Sequence, residues 1–218
     1  MTLKLFIGNK NYSSWSMRPW VALKASSIAF DEAMIPLYTG AADKQRILDV
    51  TPSGKVPALV DGNITVWDSL AIIEYVAERF PGARIWPEDR AARAHARAIS
   101  AEMHGGFGPL RRECGMNIHR PIRAKELSAD ALADIARIQE MWSDCRKAYA
   151  HQGPFLFGAF SAADAMYAPV VHRFRTYAVE VKPQVAHYME AMLAHPAIAQ
   201  WTREALAETL LIERFETD

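Results

Sequence analysis

A proline inside an apolar run limits the fold of this chain more than any other single feature. Residues 51–59 read Thr-Pro-Ser-Gly-Lys-Val-Pro-Ala-Leu, so Pro57 stands directly before a short strand-like segment. A central strand needs every N–H group for its ladder, and proline has none. If the bond between Val56 and Pro57 is cis, an isomer found in about 5–6% of X–Pro bonds, the chain turns sharply there. The N–H and C=O of Val56 are then free for an extended, peptide-like ligand.

The first 80 residues alternate between strand-forming and helix-forming segments. Asp61-Gly62-Asn63 is a turn sequence typical of a β-hairpin. The apolar spacing and the turn residues predict the following elements: a strand at 3–7, a helix at 14–26, a strand at 31–36, a helix at 42–50, a hairpin at 58–67 and a helix at 70–80. The order βαβαββα is that of a thioredoxin-like α/β domain.

The rest of the chain has the composition of an all-α domain. A Pro-Gly break and a second proline in residues 81–87 indicate a linker, which divides the chain into domains at 1–80 and 88–218. Helices are predicted at 88–113, 128–151, 162–179, 183–195 and 198–210. In the second of these, an apolar stripe predicts core packing by Leu132, Ile135, Ile138 or Gln139, and Trp142. Ser161 and Asp164 have the spacing of a capping box at the start of the third.

Composition narrows the classes of function. The 218 residues include 25 basic and 25 acidic side chains, so the net charge is zero and no nucleic-acid surface is indicated. No apolar run approaches the roughly 20 residues of a bilayer span, and the N-terminus lacks a signal-peptide core. Cys114 and Cys145 have no metal-ligand spacing. We expect them to be ordinary thiols in a reducing cytoplasm, and we expect no metal site.

The Val56-Pro57 pair, together with Asp68-Ser69 after the hairpin, resembles the glutathione transferase superfamily. The resemblance implies a thioredoxin-like domain followed by a helical domain, glutathione as the co-substrate and a homodimer. It further implies that Val56 binds the glutathione backbone, that Asp68 pairs with the α-ammonium and that Ser69 holds the γ-glutamyl carboxylate at a helix N-terminus. Lys55 either attracts the glycyl carboxylate or is a solvated surface residue.

The loop after the first strand resembles the zeta class, which includes maleylacetoacetate isomerase. Residues 11–20 read Asn-Tyr-Ser-Ser-Trp-Ser-Met-Arg-Pro-Trp, and the alignment places Ser13 on the catalytic serine and Trp15 on a cysteine of the class motif. A serine hydroxyl at a helix N-terminus can stabilise the glutathione thiolate. The alternative is that Ser13 or Ser14 simply caps the helix. Between the two, the alignment favours Ser13.

The electrophile pocket is less well defined. Two glycines interrupt the helical run at 103–107, either to open a pocket or to bend the helix at a domain contact. The weaker candidates for this pocket are Tyr12, Trp15, His104, Phe107, Arg111 and Arg112. Tyr12 fits a domain or subunit contact equally well. His172, Arg173 and Arg175 could bind a carboxylated substrate, although we expect them to form a solvated helix face.

The sequence thus predicts a cytoplasmic, homodimeric glutathione transferase that acts in detoxification of a small electrophile. Two alternatives stay open: a glutathione-dependent isomerase of maleyl-type diacids, and a binding protein of the same fold with little catalysis. Trp15 in place of cysteine, and Asp68 in place of the glutamine usual in the zeta class, weaken the isomerase alternative most.

Overall fold

A computed structural model describes residues 2–38 and 40–216. Its single sheet has the strand order β2-β1-β3-β4, with β1 parallel to β2 and the other neighbours antiparallel. The four strands are β1 (Leu3–Ile7), β2 (Phe30–Met34), β3 (Ala58–Asp61) and β4 (Ile64–Trp67). The predicted hairpin is confirmed, because Asp61 pairs with Ile64 across the turn.

Three helices complete the predicted βαβαββα order: α1 (Ser14–Ala25), α2 (Ala41–Val50) and α3 (Ser69–Arg79). Residues in β1 alternate between buried and more exposed positions, so one face of this strand packs under the helices. Trp20 and Leu23 of α1 are fully buried. The α/β prediction for this part of the chain is confirmed.

The remaining elements are helical, as predicted: α4 (Arg90–Gly105), α5 (Gly108–Glu113), α6 (Ala129–Tyr149), α7 (Ala162–Thr176), α8 (Pro183–Ala194) and α9 (Pro196–Ala207). The expected continuous helix over 88–113 is wrong, since it is two helices separated at Gly106 and Phe107. Phe107 has a φ of 59°, which a continuing right-handed helix does not allow. The division into domains at 81–87 stays a prediction.

The predicted apolar stripe on α6 is correct at Ile135, Ile138 and Trp142, which are all buried. The prediction is wrong at Leu132, whose surface is 53% exposed. The buried face instead continues through Ala131, four positions before Ile135, so that Leu132 lies about 100° further around the helix.

Helix α1 connects the sheet to the helical part of the chain, since it contacts β1 and α3 on one side and α7 and α9 on the other. The N-terminus of α1 therefore lies where the two parts meet. Within residues 2–38 and 40–216, the helices are all too short or too polar to cross a membrane.

Candidate active site

Three predicted segments meet at one edge of the sheet. β1 leads directly into the loop at residues 8–13, before α1. Ala58, the first residue of β3, pairs with the penultimate residue of β1 and with Trp67 at the end of β4. Residues 56–57 and 68–69 adjoin these two positions. The strand register therefore brings the loop, Val56-Pro57 and Asp68-Ser69 to the same edge.

The Val56–Pro57 peptide bond is cis, as expected from the sequence. Among the residues that the structure describes, none is hydrogen-bonded to the N–H or C=O of Val56. The neighbouring Lys55 is exposed, and its N–H group donates to Ser53 Oγ at 3.2 Å. Both interpretations of the Lys55 ammonium group remain open.

Asp68 caps helix α3 and also faces the helical part of the chain. Its Oδ1 accepts hydrogen bonds from the N–H groups of Leu70 and Ala71 at 2.9 and 3.3 Å. Its Oδ2 lies 3.2 Å from Nε2 of His104 on α4. Asp68 has a φ of 76°, an unusual value for a residue other than glycine that is often found at ligand sites. The carboxylate predicted to hold an ammonium group is therefore already paired with His104.

Ser69 is completely buried, and its Oγ accepts from Nη1 of Arg18 at 3.4 Å. A guanidinium group only donates, so this contact leaves the hydroxyl proton of Ser69 unused. The contact also places a guanidinium group beside the predicted γ-glutamyl site, a charge that the sequence analysis did not include.

Ser13 is the N-cap of α1. Its Oγ accepts from the N–H of Ser16 at 3.3 Å, and its hydroxyl donates to Ser16 Oγ at 2.8 Å. Ser16 Oγ also accepts from the N–H of Gly8 at 3.0 Å. Ser13 therefore caps α1, and its hydroxyl proton already forms a hydrogen bond within the protein.

Ser14 begins α1 and has a different environment. Its Oγ accepts from Nη2 of Arg173 at 3.2 Å, across the contact between α1 and α7. The expected solvated face on α7 is wrong for Arg173 and His172, which are 6% and 3% exposed, and right for Arg175. The α7 positions between Asp164 and Thr176 are almost all buried because α1 and α4 pack on this helix.

Three arginines converge behind the α1 N-terminus: Arg18, Arg111 and Arg173. None forms an ion pair with a carboxylate in the described part of the chain. Burial lowers the pKa of Arg18 to about 9, with further lowering by Arg111 and Arg173. Burial likewise lowers the pKa of Arg173 to about 10. The buried Nε of Arg18 has no partner. Because unpaired buried charge is unfavourable, this arrangement favours an anionic ligand.

Trp15, His104 and Arg111 lie together, as the weaker pocket prediction requires. The Trp15 ring is 36% exposed and lies between the guanidinium groups of Arg18 and Arg111, at 4.3 and 4.9 Å from its centre. The His104 ring lies nearly perpendicular to the Trp15 ring, with 5.3 Å between the two ring centres. Burial lowers the pKa of His104, which favours the neutral form of the ring whose Nε2 lies 3.2 Å from Asp68 Oδ2.

Three other pocket candidates face different surroundings. The Tyr12 hydroxyl accepts from the N–H of Ile212 at 3.2 Å and donates to Glu216, so it contacts the C-terminal segment. Phe107 is 8% exposed and belongs to the hydrophobic core. Arg112 lies on α5 beside Gly108.

The sequence analysis missed the residues that hold the loop at 8–13 in place. Oδ1 of the buried Asn11 accepts from the N–H groups of Ile118 and His119 at 2.6 and 2.9 Å. Glu208 accepts from the N–H groups of Lys10 and Asn11 at 2.6 and 3.2 Å. A polar run such as Asn-Lys-Asn carries no signal that distinguishes these buried contacts from an ordinary surface turn.

Comparison with known proteins identifies the family. Residues 12–79 match the family model of the glutathione S-transferase N-terminal domain, and residues 129–204 match that of the C-terminal domain. The chain belongs to the glutathione transferase family. The two matches contain the α1 N-terminus, Val56-Pro57 and Asp68-Ser69 on one side, and Arg173 on the other.

Relatives of this family member agree with the predicted zeta-like character. A probable maleylacetoacetate isomerase of Caenorhabditis elegans is 37% identical over 98 residues, which are 45% of each chain. The chain thus spans less than half of the length of that relative. The maleylacetoacetate isomerase of Rattus norvegicus is 29% identical over 84% of each chain.

A solved structure of a glutathione transferase homolog from Burkholderia, with bound glutathione, confirms the fold. It has a TM-score of 0.70 and 25% identity, and the match covers 95% of this chain and all of that one.

Proposed function

We propose that the protein is a glutathione transferase that holds glutathione along the shared sheet edge, with the sulfur at the N-terminus of α1. The observation that carries the proposal is the buried positive charge of Arg18 and Arg173, which lie directly behind Ser14 and Ser69 and form no ion pair in the described part of the chain. The γ-glutamyl carboxylate and the cysteinyl thiolate of a bound glutathione would neutralise this charge. The glutathione named with the Burkholderia homolog supports the same choice.

The predicted contacts orient the ligand. Arg18 and Ser69 would hold the γ-glutamyl carboxylate, and Asp68 its α-ammonium group. The free backbone groups of Val56 would pair with the cysteinyl residue, in the manner of an added strand. Lys55 would attract the glycyl carboxylate. The donor and acceptor types present on the sheet edge therefore fit each end of the tripeptide.

The serine pair supplies the chemistry. A free thiol has a pKa of about 8.5, so little of it is thiolate at neutral pH. A hydrogen bond from a hydroxyl to the sulfur anion would contribute about 1.5–3 kcal/mol, and the helix dipole about 0.3–1 kcal/mol. Because one pKa unit corresponds to about 1.4 kcal/mol, the two effects together would lower the thiol pKa by about one to three units.

A second candidate function is a glutathione-dependent cis-trans isomerase of maleyl-type diacids. Arg111 favours it, because its guanidinium group lies against the half-exposed Trp15 ring and its Nε is buried without a partner. A substrate carboxylate could pair with this group. The names of the nematode and rat relatives point in the same direction.

One experiment separates these functions. The protein is passed over immobilised glutathione and then assayed with aryl halides, epoxides, peroxides and a maleyl diacid. Conjugation of an uncharged electrophile supports the transferase, and exclusive turnover of the diacid supports the isomerase. Retention on glutathione with no turnover supports the binding protein. Failure to bind glutathione by any method contradicts the proposal.

Replacing Asp68 with asparagine tests the predicted ammonium site. Asparagine caps a helix as well as aspartate does, so α3 keeps its cap while the charge is lost. We expect the KM for glutathione to rise about tenfold, which corresponds to one charged hydrogen bond. We expect kcat to change little because this end of the ligand is remote from sulfur.

The matched control is Asp89→Asn, at the N-cap of α4, where the Asp89 side chain accepts from the N–H of Ala92 at 2.8 Å. The melting temperature of each variant shows whether its cap survives. An unchanged KM in Asp68→Asn would mean that the ammonium group binds elsewhere.

We further propose that the protein is a cytoplasmic homodimer. Cys114 and Cys145 are buried free thiols, as expected for a reducing compartment. Strand β4 is an edge strand, and Ile64 and Trp67 on it are 46% and 44% exposed. Exposed apolar side chains on an outermost strand are typical of a surface that a second copy covers.

Analytical ultracentrifugation is expected to give a species of twice the 24.4-kDa chain mass at micromolar concentration. Most closed assemblies of soluble proteins are two-fold dimers, and the homodimer that the family resemblance implies would be one of them. A dilution series distinguishes a stable dimer from a weak one. A single species of chain mass throughout the series would refute the dimer.

A further inference from the structure

The Ser14 hydroxyl has an asymmetric hydrogen-bond environment. Arg173 Nη2 donates to its oxygen at 3.2 Å. A guanidinium group has five N–H donors and no acceptor, so Ser14 can only accept in this contact. The hydroxyl proton of Ser14 must point elsewhere. Among residues 2–38 and 40–216, none accepts a hydrogen bond from the Ser14 hydroxyl.

The Ser13 hydroxyl is in the opposite situation. Its proton is donated to Ser16 Oγ at 2.8 Å, and its oxygen accepts from the N–H of Ser16. To donate to a ligand, Ser13 would have to break the bond to Ser16. Ser14 needs no such rearrangement.

Arg173 is itself held rigidly. Its Nη1 donates to the carbonyl oxygens of Cys114 and Arg111, and its side chain is almost completely buried on α7. Because these two backbone carbonyls hold its guanidinium group, the Arg173 side chain has little freedom to turn. Its Nη2 therefore stays in place behind the Ser14 oxygen. A hydroxyl that accepts from a cation is also a stronger donor, because hydrogen bonds in a chain polarise one another.

We infer that Ser14, oriented and polarised by Arg173, is the hydroxyl that donates to the sulfur of glutathione. Arg173 is then a positioning residue that acts through Ser14, while Ser13 fixes the helix start. This inference rests on the proposed function. It differs from the sequence alignment, which favours Ser13 and which has no information about a residue 159 positions away.

The test is the pH dependence of thiolate absorbance for glutathione bound to the wild-type protein and to single variants. Ser14→Ala is expected to raise the thiol pKa by about one to two units while glutathione still binds. Ser14→Thr, which keeps a hydroxyl group, should restore most of the shift. A larger shift in Ser13→Ala than in Ser14→Ala would overturn the assignment of the donor.

A double-mutant cycle tests the role of Arg173. Arg173→Lys is expected to raise the thiol pKa by about half as much as Ser14→Ala does. In a Ser14→Ala background the same change should raise the thiol pKa little further, because the hydroxyl through which Arg173 acts on the sulfur is absent. An additive shift would mean that Arg173 acts on the sulfur independently of Ser14, and the positioning role would be overturned. Arg173→Gln, which keeps two N–H donors, replaces the lysine variant if that variant does not fold.

The two levels of the proposal fail in different ways. If the wild-type protein does not bind glutathione, the proposed function is wrong. If the protein binds glutathione and Ser14→Ala leaves the thiol pKa unchanged, only the present inference is wrong.

Discussion

Replacing Asp164 with alanine is expected to destabilise the protein by about 3–5 kcal/mol, because several buried donors lose their acceptor. Asp164 is fully buried and its carboxylate accepts from Leu156 N–H, Ser161 N–H, Ser161 Oγ and Tyr188 Oη at 2.9–3.2 Å. Each donor left unsatisfied costs about 1–3 kcal/mol. Burial raises the pKa of Asp164 to about 6 against these hydrogen bonds, so loss of the charge offsets part of the penalty.

Thermal unfolding measures this effect, with an expected fall in melting temperature of about 10 °C for a chain of this size. Asp89→Ala is the matched control, since Asp89 also caps a helix but is exposed to solvent. An exposed cap contributes only about 1 kcal/mol. Equal losses in the two variants would show that Asp164 is an ordinary cap.

Replacing Lys10 with methionine is expected to destabilise the protein by about 2–3 kcal/mol, below the range for a fully buried pair because both carboxylates are partly exposed. The Lys10 ammonium group lies 2.7 Å from Glu32, contacts Glu204, and lies 4.9 and 5.5 Å from the ring centres of Trp20 and Trp201. Its loss leaves two carboxylates facing each other and removes two cation–π contacts.

The Lys10→Met effect should depend on pH. Burial opposes ionisation of Glu204, but the hydrogen bonds from Lys10 and Gln200 outweigh it and hold the pKa of Glu204 below its usual value. A lowered carboxyl pKa stabilises the fold above the unfolded-state pKa, and this stability is lost as the pH falls through the folded-state value. We therefore expect the difference between variant and wild type to shrink below about pH 4.

Denaturant unfolding at pH 7 and at about pH 3 measures this difference. Lys24→Met is the control, because Lys24 lies over the same Trp20 ring at 5.4 Å but is exposed. A solvated residue of this kind should change stability by no more than about 0.5 kcal/mol. A difference for Lys10→Met that does not vary with pH would contradict the assigned ion pair.

The strands and helices of the chain could be predicted because their signals are local. The Asp61-Gly62-Asn63 turn fixes the hairpin, and the Ser161–Asp164 spacing fixes the start of α7, where the capping box is confirmed. The prediction failed where two local patterns were equally good. On α6 the apolar stripe fits Leu132 and Ala131 alike, and the larger residue is the exposed one.

Only the part of the candidate site that adjoins the sheet could be predicted from the sequence. Val56, Pro57, Asp68 and Ser69 lie in short motifs next to strands, so their shared edge follows from register. Arg173 and Asn11 could not be assigned, because their partners are more than 100 positions away and their own sequence contexts are ordinary. The roles of Ser13 and Ser14 depend on those distant partners.

The loop at 8–13 is completed by chain that is synthesised much later. Its hydrogen bonds reach Asn117, Trp201, Glu208 and Ile212. At a ribosomal rate of about 5–20 residues per second, roughly 10–40 s separate the emergence of the two ends. The sheet can form during this time, whereas the loop that carries the serines cannot yet form its long-range hydrogen bonds. A nascent chain would thus have its sheet well before the candidate site is complete.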